Sequence, residues 1–279
     1  MTICLTGYNK PEAAGVLLQA AQLLLAEGTR VVLAAEDGFA PPDGAVCLPG
    51  AQALTQADAV VTVGGDGTML HAAKECARHG LPVLGINLGR TGFLATCELD
   101  EMEQKLHKLA AGEFSVEHRA LLQAECTGAD GPLIALNDLV VYSGHRRQTV
   151  DLDILCDELP VSNCRGDGVI LATPTGSTAY SLSAGGPILD ARIRGLVVTS
   201  ICAHSLQRPA IVFAADRRIT VRPGADQRGP ILISSDGERE IELPAGGELR
   251  AGLSEKSVKL ITFNGTDQFD AIDKKLRGR

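Results

Sequence analysis

The chain has no tryptophan, only three tyrosines and six phenylalanines, which leaves little material for platforms that stack nucleic-acid bases. It has no excess of positive charge either. Against 34 acidic side chains stand 26 lysines and arginines, a net charge of -8, so nothing draws it generally to DNA, RNA or an anionic membrane. A polyanionic ligand must therefore be bound locally, together with a divalent cation. No Gly-Lys pair is present, which excludes a P-loop, and Leu70 stands where a dinucleotide fingerprint needs its third glycine. The eight cysteines (Cys4, Cys47, Cys76, Cys97, Cys126, Cys156, Cys164, Cys202) contain no C-x-x-C pair and no histidine at zinc-ligand spacing, so they read as reduced, mostly buried, small apolar residues. No apolar run reaches the roughly 18 residues of a membrane span, and Met1 to Leu5 is too short for a signal peptide. The expectation is a cytosolic protein of one or two domains.

What is present begins with Gly64-Gly65-Asp66-Gly67-Thr68, which closes the apolar run Asp58 to Val63 and opens the helical pattern Met69 to Ala77. The three glycines are expected to bend the backbone at positive φ and to let it approach a ligand, while the N–H groups at the helix start attract an oxyanion. Asp66 is the anomaly. A carboxylate among phosphate-seeking donors repels phosphate, so it either binds a metal or holds a hydroxyl about to receive a phosphoryl group. The plain alternative is a tight strand-to-helix turn with an Asp near the helix start.

Strand and helix alternate through the first hundred or so residues. Ile3 to Leu5 leads to a helix from Pro11 to a stop at Gly28, and strands follow at Arg30 to Ala34, Ala57 to Val63 and Leu81 to Leu88. Asp100 and Glu103 resemble a capping pair for a helix running to Gly112. Such alternation predicts a parallel sheet whose ligands sit beyond the carboxyl ends of its strands. From about Phe114 the period changes to two, as in Val150 to Ile154, Arg218 to Val221 and Glu240 to Leu243, with turn signals at Gly128 to Gly131, Asp236-Gly237 and Gly246-Gly247. The expected organisation is an α/β domain over 1–113, a β-rich, sandwich-like domain over 114–263, and a partly helical tail over 264–279 that packs back on the first domain.

The second half carries a cluster of its own, Arg165-Gly166-Asp167-Gly168 followed by a buried strand and then Thr173 to Pro187, rich in small hydroxyl residues. Ser177 reads as an N-cap and Tyr180 as a half-buried anchor, or else hydroxyls and amides at a helix start recognise a nucleotide base and ribose. Two Gly-Asp-Gly turns in different domains point to one shared ligand.

Together, Gly64 to Thr68, Gly85 to Leu94, Asn137-Asp138, Arg165 to Pro187, and His204 to Leu206 with Arg208-Pro209 resemble the NAD kinases, within the wider group of diacylglycerol, sphingoid-lipid and phosphofructo-kinases. The glycine motif is shared across that group, whereas the Thr173 to Pro187 block is specific to NAD kinases. The resemblance implies NAD in a cleft between an α/β and a β-sandwich-like domain, phosphorylated at its adenosine-ribose 2′-hydroxyl. The donor it implies is ATP, another nucleoside triphosphate or polyphosphate, with Mg²⁺ or another divalent cation. It assigns Asp66 to the 2′-hydroxyl, and Gly64, Gly65, Gly67 and Thr68 to the donor phosphates. NAD binding falls to Asp66, Gly67, Asn137, Asp138, Arg165, Asp167, Thr178, Ala179, Tyr180 and Ser183. It also implies self-association into dimers or tetramers, with Asp167 at the far end of the dinucleotide, and a preference for NAD over NADH from Arg165. Position 138 departs from the family, which has Glu beside the Asn. A lipid or small-alcohol kinase has no use for Thr173 to Pro187, and a catalytically silent NAD-binding module requires a damaged donor site that this sequence does not have.

Overall fold

A computed structural model of the chain describes residues 1–7, 11–34, 40–89, 92–95, 97–145, 148–204, 209–263 and 272–273. Two compact units emerge, one comprising Met1–His118 together with the chain from Val258, the other Arg119–Ser257. The chain crosses between them inside two strands. No helix among the described residues is long and apolar enough to span a membrane. Of the expected tail, only Ile272 and Asp273 lie within the described residues.

In the first unit, β1 (Thr2–Gly7), α1 (Pro11–Ala26), β2 (Arg30–Ala34), β3 (Val46–Leu48), α2 (Gly50–Thr55), β4 (Ala59–Gly64), α3 (Asp66–His79), β5 (Pro82–Asn87) and α4 (Met102–Ala110) succeed one another. The strands run parallel in the order β3-β2-β1-β4-β5. β4 is buried at all six positions, as expected of a parallel strand covered on both faces. Leu17, Ala20, Ala21 and Leu24 of α1 and Met102, Leu106 and Leu109 of α4 pack against Ile3, Leu5, Val61, Leu84 and Ile86. The helix α4 begins later than the sequence suggests. A single 3₁₀ turn, Leu99–Glu101, precedes it, and the capping box is Glu98 with Glu101 rather than Asp100 with Glu103. That extra turn shifts the reciprocal pair by two residues.

The second unit holds most of β6 (Ser115–Cys126), β7 (Leu133–Ala135), β8 (Asp138–Ser143), β9 (Val150–Cys156), β10 (Leu159–Gly166), β11 (Gly168–Ala172), α5 (Tyr180–Ser183), β12 (Gly195–Ile201), β13 (Ile211–Ala214), β14 (Ile219–Pro223), β15 (Ile231–Ser235), β16 (Arg239–Leu243) and most of β17 (Leu249–Thr262). One antiparallel sheet runs β13-β12-β11-β8-β15-β16. Another set of antiparallel strands runs β10-β9-β14-β17, with β6 and β7 beside it. Leu139, Val141, Val169, Leu171 and Leu196 from the first meet Leu152, Ile154, Ile219, Val221 and Ala251 from the second. This is a sandwich core built by period-two alternation. On β8 the alternation sends Leu139 and Val141 into that core and places Asp138, Val140 and Tyr142 on the opposite face. There Val140 packs with Ile170, Ala172, Leu189 and Val197.

Candidate active site

The Gly64–Thr68 turn joins β4 to α3, with Gly65 as an N-cap that carries no side-chain cap. None of Gly64, Gly65 and Gly67 is among the glycines with positive φ, so the expected left-handed bend is absent and the glycines serve space instead. A Cβ at Gly64 would stand 2.5 Å from Thr68 Oγ1, whereas one at Gly65 or Gly67 would meet nothing within 4 Å. The exposed glycines keep open the mouth of a cavity of about 960 Å³. Its walls include Thr6, Gly64, Gly65, Gly67, Thr68, Leu88 and Gly89, with Val60, Thr62, His71 and Cys76 also contributing. Most of the first group stand at or just beyond the carboxyl ends of β1, β4 and β5, where a parallel sheet places its ligands. Burial pushes the Cys76 thiol up to about 12, which makes it an inert wall rather than a nucleophile.

Asp66 is the first residue of α3 and does not cap it. Its Oδ2 accepts the N–H of Phe93 at 3.0 Å, and its Oδ1 accepts those of Leu94 at 3.1 Å and Ala95 at 3.3 Å. The carboxylate is thus fixed by three consecutive backbone donors of the loop after β5. The approach is so close that a Cβ at Gly92 would overlap Oδ1. Asn87, buried at the end of β5, starts the same loop by accepting the Gly89 N–H at 3.2 Å. Arg90 and Thr91 lie outside the described residues.

In the second unit, Asn137, Asp138, Asp167, Ala179 and Tyr180 share one cavity of about 570 Å³ with Tyr142, His145, Ser234 and Asp236. Asp138 is 6% exposed. Burial first, and then the neighbouring charge of Asp236, push its carboxyl up to about 7. Of the NAD-binding residues expected in this unit, three are not among this cavity's walls, and Asp66 of the first unit lines neither cavity. Arg165 lines a separate polar recess with Gln148, Asp151 and Arg228. Thr178 donates its hydroxyl to Thr175 O at 3.0 Å, and Ser183 is exposed.

The hydroxyls of the Thr173 to Pro187 block are mostly internal braces. Thr173 Oγ1 donates to Leu136 O at 2.5 Å and accepts Gly176 N–H at 3.0 Å. Ser177, read from sequence as an N-cap, is fully buried, donates to Pro174 O at 2.6 Å and accepts Leu189 N–H at 2.9 Å. Ser181 and Thr199 pair at 2.9 Å. A Cβ at Gly176 would overlap Asn137 O, so this block is pressed onto the backbone of the residue it helps to place. The small side chains allow that approach, and only Ala179 and Tyr180 of the block reach the cavity.

Family models described as the N-terminal and C-terminal domains of ATP-NAD kinase match residues 50–114 and 136–263. The chain belongs to the ATP-NAD kinase family. An NAD kinase of Symbiobacterium thermophilum is 37% identical over 276 residues, covering 97% of this chain and 96% of that one. Another from Aromatoleum aromaticum is 36% identical over 281 residues, covering 96% and 91%. Among solved structures, a yeast NADH kinase complexed with NADH superposes with a TM-score of 0.86 at 25% identity, over 99% of this chain and 87% of that one. An Archaeoglobus fulgidus NAD kinase in complex with ATP superposes with a TM-score of 0.78 at 24% identity, over the whole of both chains, and shares the fold. In this ATP-NAD kinase family member, Gly64, Gly65, Gly67 and Thr68 line one cavity and Asn137, Asp138, Asp167, Ala179 and Tyr180 the other. The sequence left Asp236, Asn87 and Gly92 without roles. Asp236-Gly237 registered only as a turn, and nothing local connects that turn to residues about a hundred positions away.

Proposed function

We propose that this protein transfers the terminal phosphoryl group of ATP to the adenosine-ribose 2′-hydroxyl of NAD, giving NADP and ADP. The observation that carries the reading is Asp66, held by three backbone donors at the end of the sheet where ligands gather. In this reading the N-terminus of α3, with Gly64, Gly65, Gly67 and Thr68, receives the donor phosphates. Asn137, Asp138, Asp167, Ala179 and Tyr180 receive NAD, while Arg165, Thr178 and Ser183 act from outside that cavity. A carboxylate is far too weak a base to deprotonate an alcohol in the ground state. Phosphoryl transfer, however, is loose: the P–O bond to ADP breaks as the 2′-oxygen bonds to phosphorus, and the hydroxyl needs to lose its proton only late. Asp66 then orients the hydroxyl and takes that proton as the new bond forms.

Among the described residues no group of three His, Cys, Asp or Glu side chains is arranged to hold a metal. Mg²⁺, or another divalent cation, arrives in this reading on the donor's phosphates, as that ion commonly does in phosphoryl-transfer sites. Polyphosphate offers the same phosphates without a base. Self-association through the second unit, a preference for NAD over NADH and a cytosolic location complete the reading.

Incubation with NAD, ATP and Mg²⁺, followed by an NADP-specific dehydrogenase assay, tests it. Asp66→Asn is expected to lower kcat by more than about a hundredfold, and Gly92→Ala, which drives a methyl group into Asp66, to lower it as well. No NADP from the wild type, or full activity in Asp66→Asn, would overturn the reading.

A further inference from the structure

Asp66 is not the only carboxylate here that gathers three consecutive amides. Asp236 lies in the turn between β15 and β16 at φ 51, a left-handed conformation that Asp tolerates better than most residues. Its Oδ2 accepts the Leu136 N–H at 2.9 Å, and its Oδ1 accepts those of Asn137 at 2.8 Å and Asp138 at 3.1 Å. Its own N–H returns to Asp138 O at 2.9 Å. From the other side, Thr173 N–H bonds Asn137 O at 2.9 Å. The backbone of Leu136 to Asp138 is therefore gripped from two directions, and the grip from Asp236 is charge-assisted, about twice as strong as one between neutral groups.

We propose that Asp236 is a positioning residue for NAD: its carboxylate fixes the Leu136–Asp138 backbone and so sets where the Asn137 and Asp138 side chains meet the ligand's hydroxyl groups. This rests on the proposed function. A second consequence follows from charge, because Asp236 is the neighbour that, after burial, raises the Asp138 carboxyl. The other titratable groups on elements lining this cavity are Tyr142 on β8, His145 beyond it, Asp167 between β10 and β11, and Tyr180 on α5. Glu240 on β16 is hydrogen-bonded to Tyr142, and Cys202 to Asp167. Ionised Asp138 accepts hydroxyl protons best, so NAD affinity rises as pH increases through about 7. Removing the Asp236 charge moves that inflection to lower pH.

Two variants test the assignment. Asp236→Asn keeps the shape but turns an NH₂ toward amide donors, and Asp236→Gly keeps the left-handed turn without strain while deleting the carboxylate. For both, the KM for NAD is expected to rise about tenfold or more, with the KM for ATP held within about twofold. The pH inflection in NAD affinity moves down, and amide exchange at Leu136, Asn137 and Asp138 quickens. An unchanged KM for NAD and an unchanged pH profile, even with a lowered Tm, would make Asp236 a turn-former only and overturn the proposal. If the wild type makes no NADP, the proposed reaction fails, while NAD titration and amide exchange still judge Asp236. If neither variant folds, protection of those three amides in the wild type, deepened by NAD, upholds the assignment, and rapid exchange there sinks it.

Discussion

Replacing Asp138 with Asn asks what the buried acid costs the fold. The side chain is 6% exposed, and its carboxyl titrates near 7, raised first by burial and then by Asp236, against a usual value of 3.8. In the unfolded chain the proton leaves near 4; in the folded chain it is kept until about 7. Between those limits the folded state binds more protons, so stability falls as pH rises, and above about 7 the full penalty is present. At about 1.36 kcal/mol for every pH unit that separates the two titrations, that penalty is about 4 kcal/mol, less whatever it costs to bury an amide with imperfect partners. Asp138→Asn has the same shape and no charge to desolvate. The variant is expected to exceed the wild type in stability at pH 8, with the gap shrinking by about 3 kcal/mol on going to pH 5. Urea unfolding followed by tyrosine fluorescence suits the measurement, because the chain has no tryptophan and two of its three tyrosines, Tyr142 and Tyr180, lie in the second unit. A gap of the same size at both pH values would refute the reasoning, for then Asp138 carries no linked proton.

Gly67→Ala places a methyl group where nothing lies within 4 Å, in the first turn of α3. It is expected to stabilise the free protein by up to about 1 kcal/mol through helix propensity while raising the KM for ATP. A thermal scan paired with ATP kinetics checks this, and a stabilised variant with unchanged KM would show that no phosphate passes this glycine. Thr62 Oγ1 is buried without a hydrogen-bond partner among the described residues. Thr62→Val, nearly the same shape, is expected to stabilise the protein by about 1 kcal/mol, read by urea unfolding; destabilisation would mean that the hydroxyl is satisfied in solution.

The sequence disclosed what periodicity and local turns encode. The buried run Ala59 to Val63 and the glycines after it announced β4 and α3, and the alternation on β9, β14 and β16 announced the sandwich. What it did not disclose were contacts made at a distance. Asp66 meets amides 27 to 29 residues away and Asp236 meets amides 98 to 100 away, and such pairings leave no periodic trace. The hydroxyls of Thr173 to Ser181 misled for a related reason. Their composition resembles a binding surface, yet Thr173, Ser177 and Ser181 are buried and spend their hydrogen bonds on the protein itself. The glycines of the Gly64 to Thr68 turn were legible as necessary but not as to why, since close approach and positive φ write the same letter.

Because Asp66 and Asp236 each hold peptide N–H groups, the identity of the side chains on the loops they hold is irrelevant to the grip. Any residue with a backbone N–H would offer Asp66 and Asp236 the same donors at Phe93, Leu94 and Leu136, although burial holds Leu94 and Leu136 to apolar types for other reasons. Proline at any of the six gripped positions would remove a donor outright, and an inserted or deleted residue would put the row of donors out of step with the carboxylate. For the grip itself, then, a change of loop length is costlier than a change of residue, and loop length is a property that relatives of this chain must keep here besides the buried Leu94, Ala95 and Leu136.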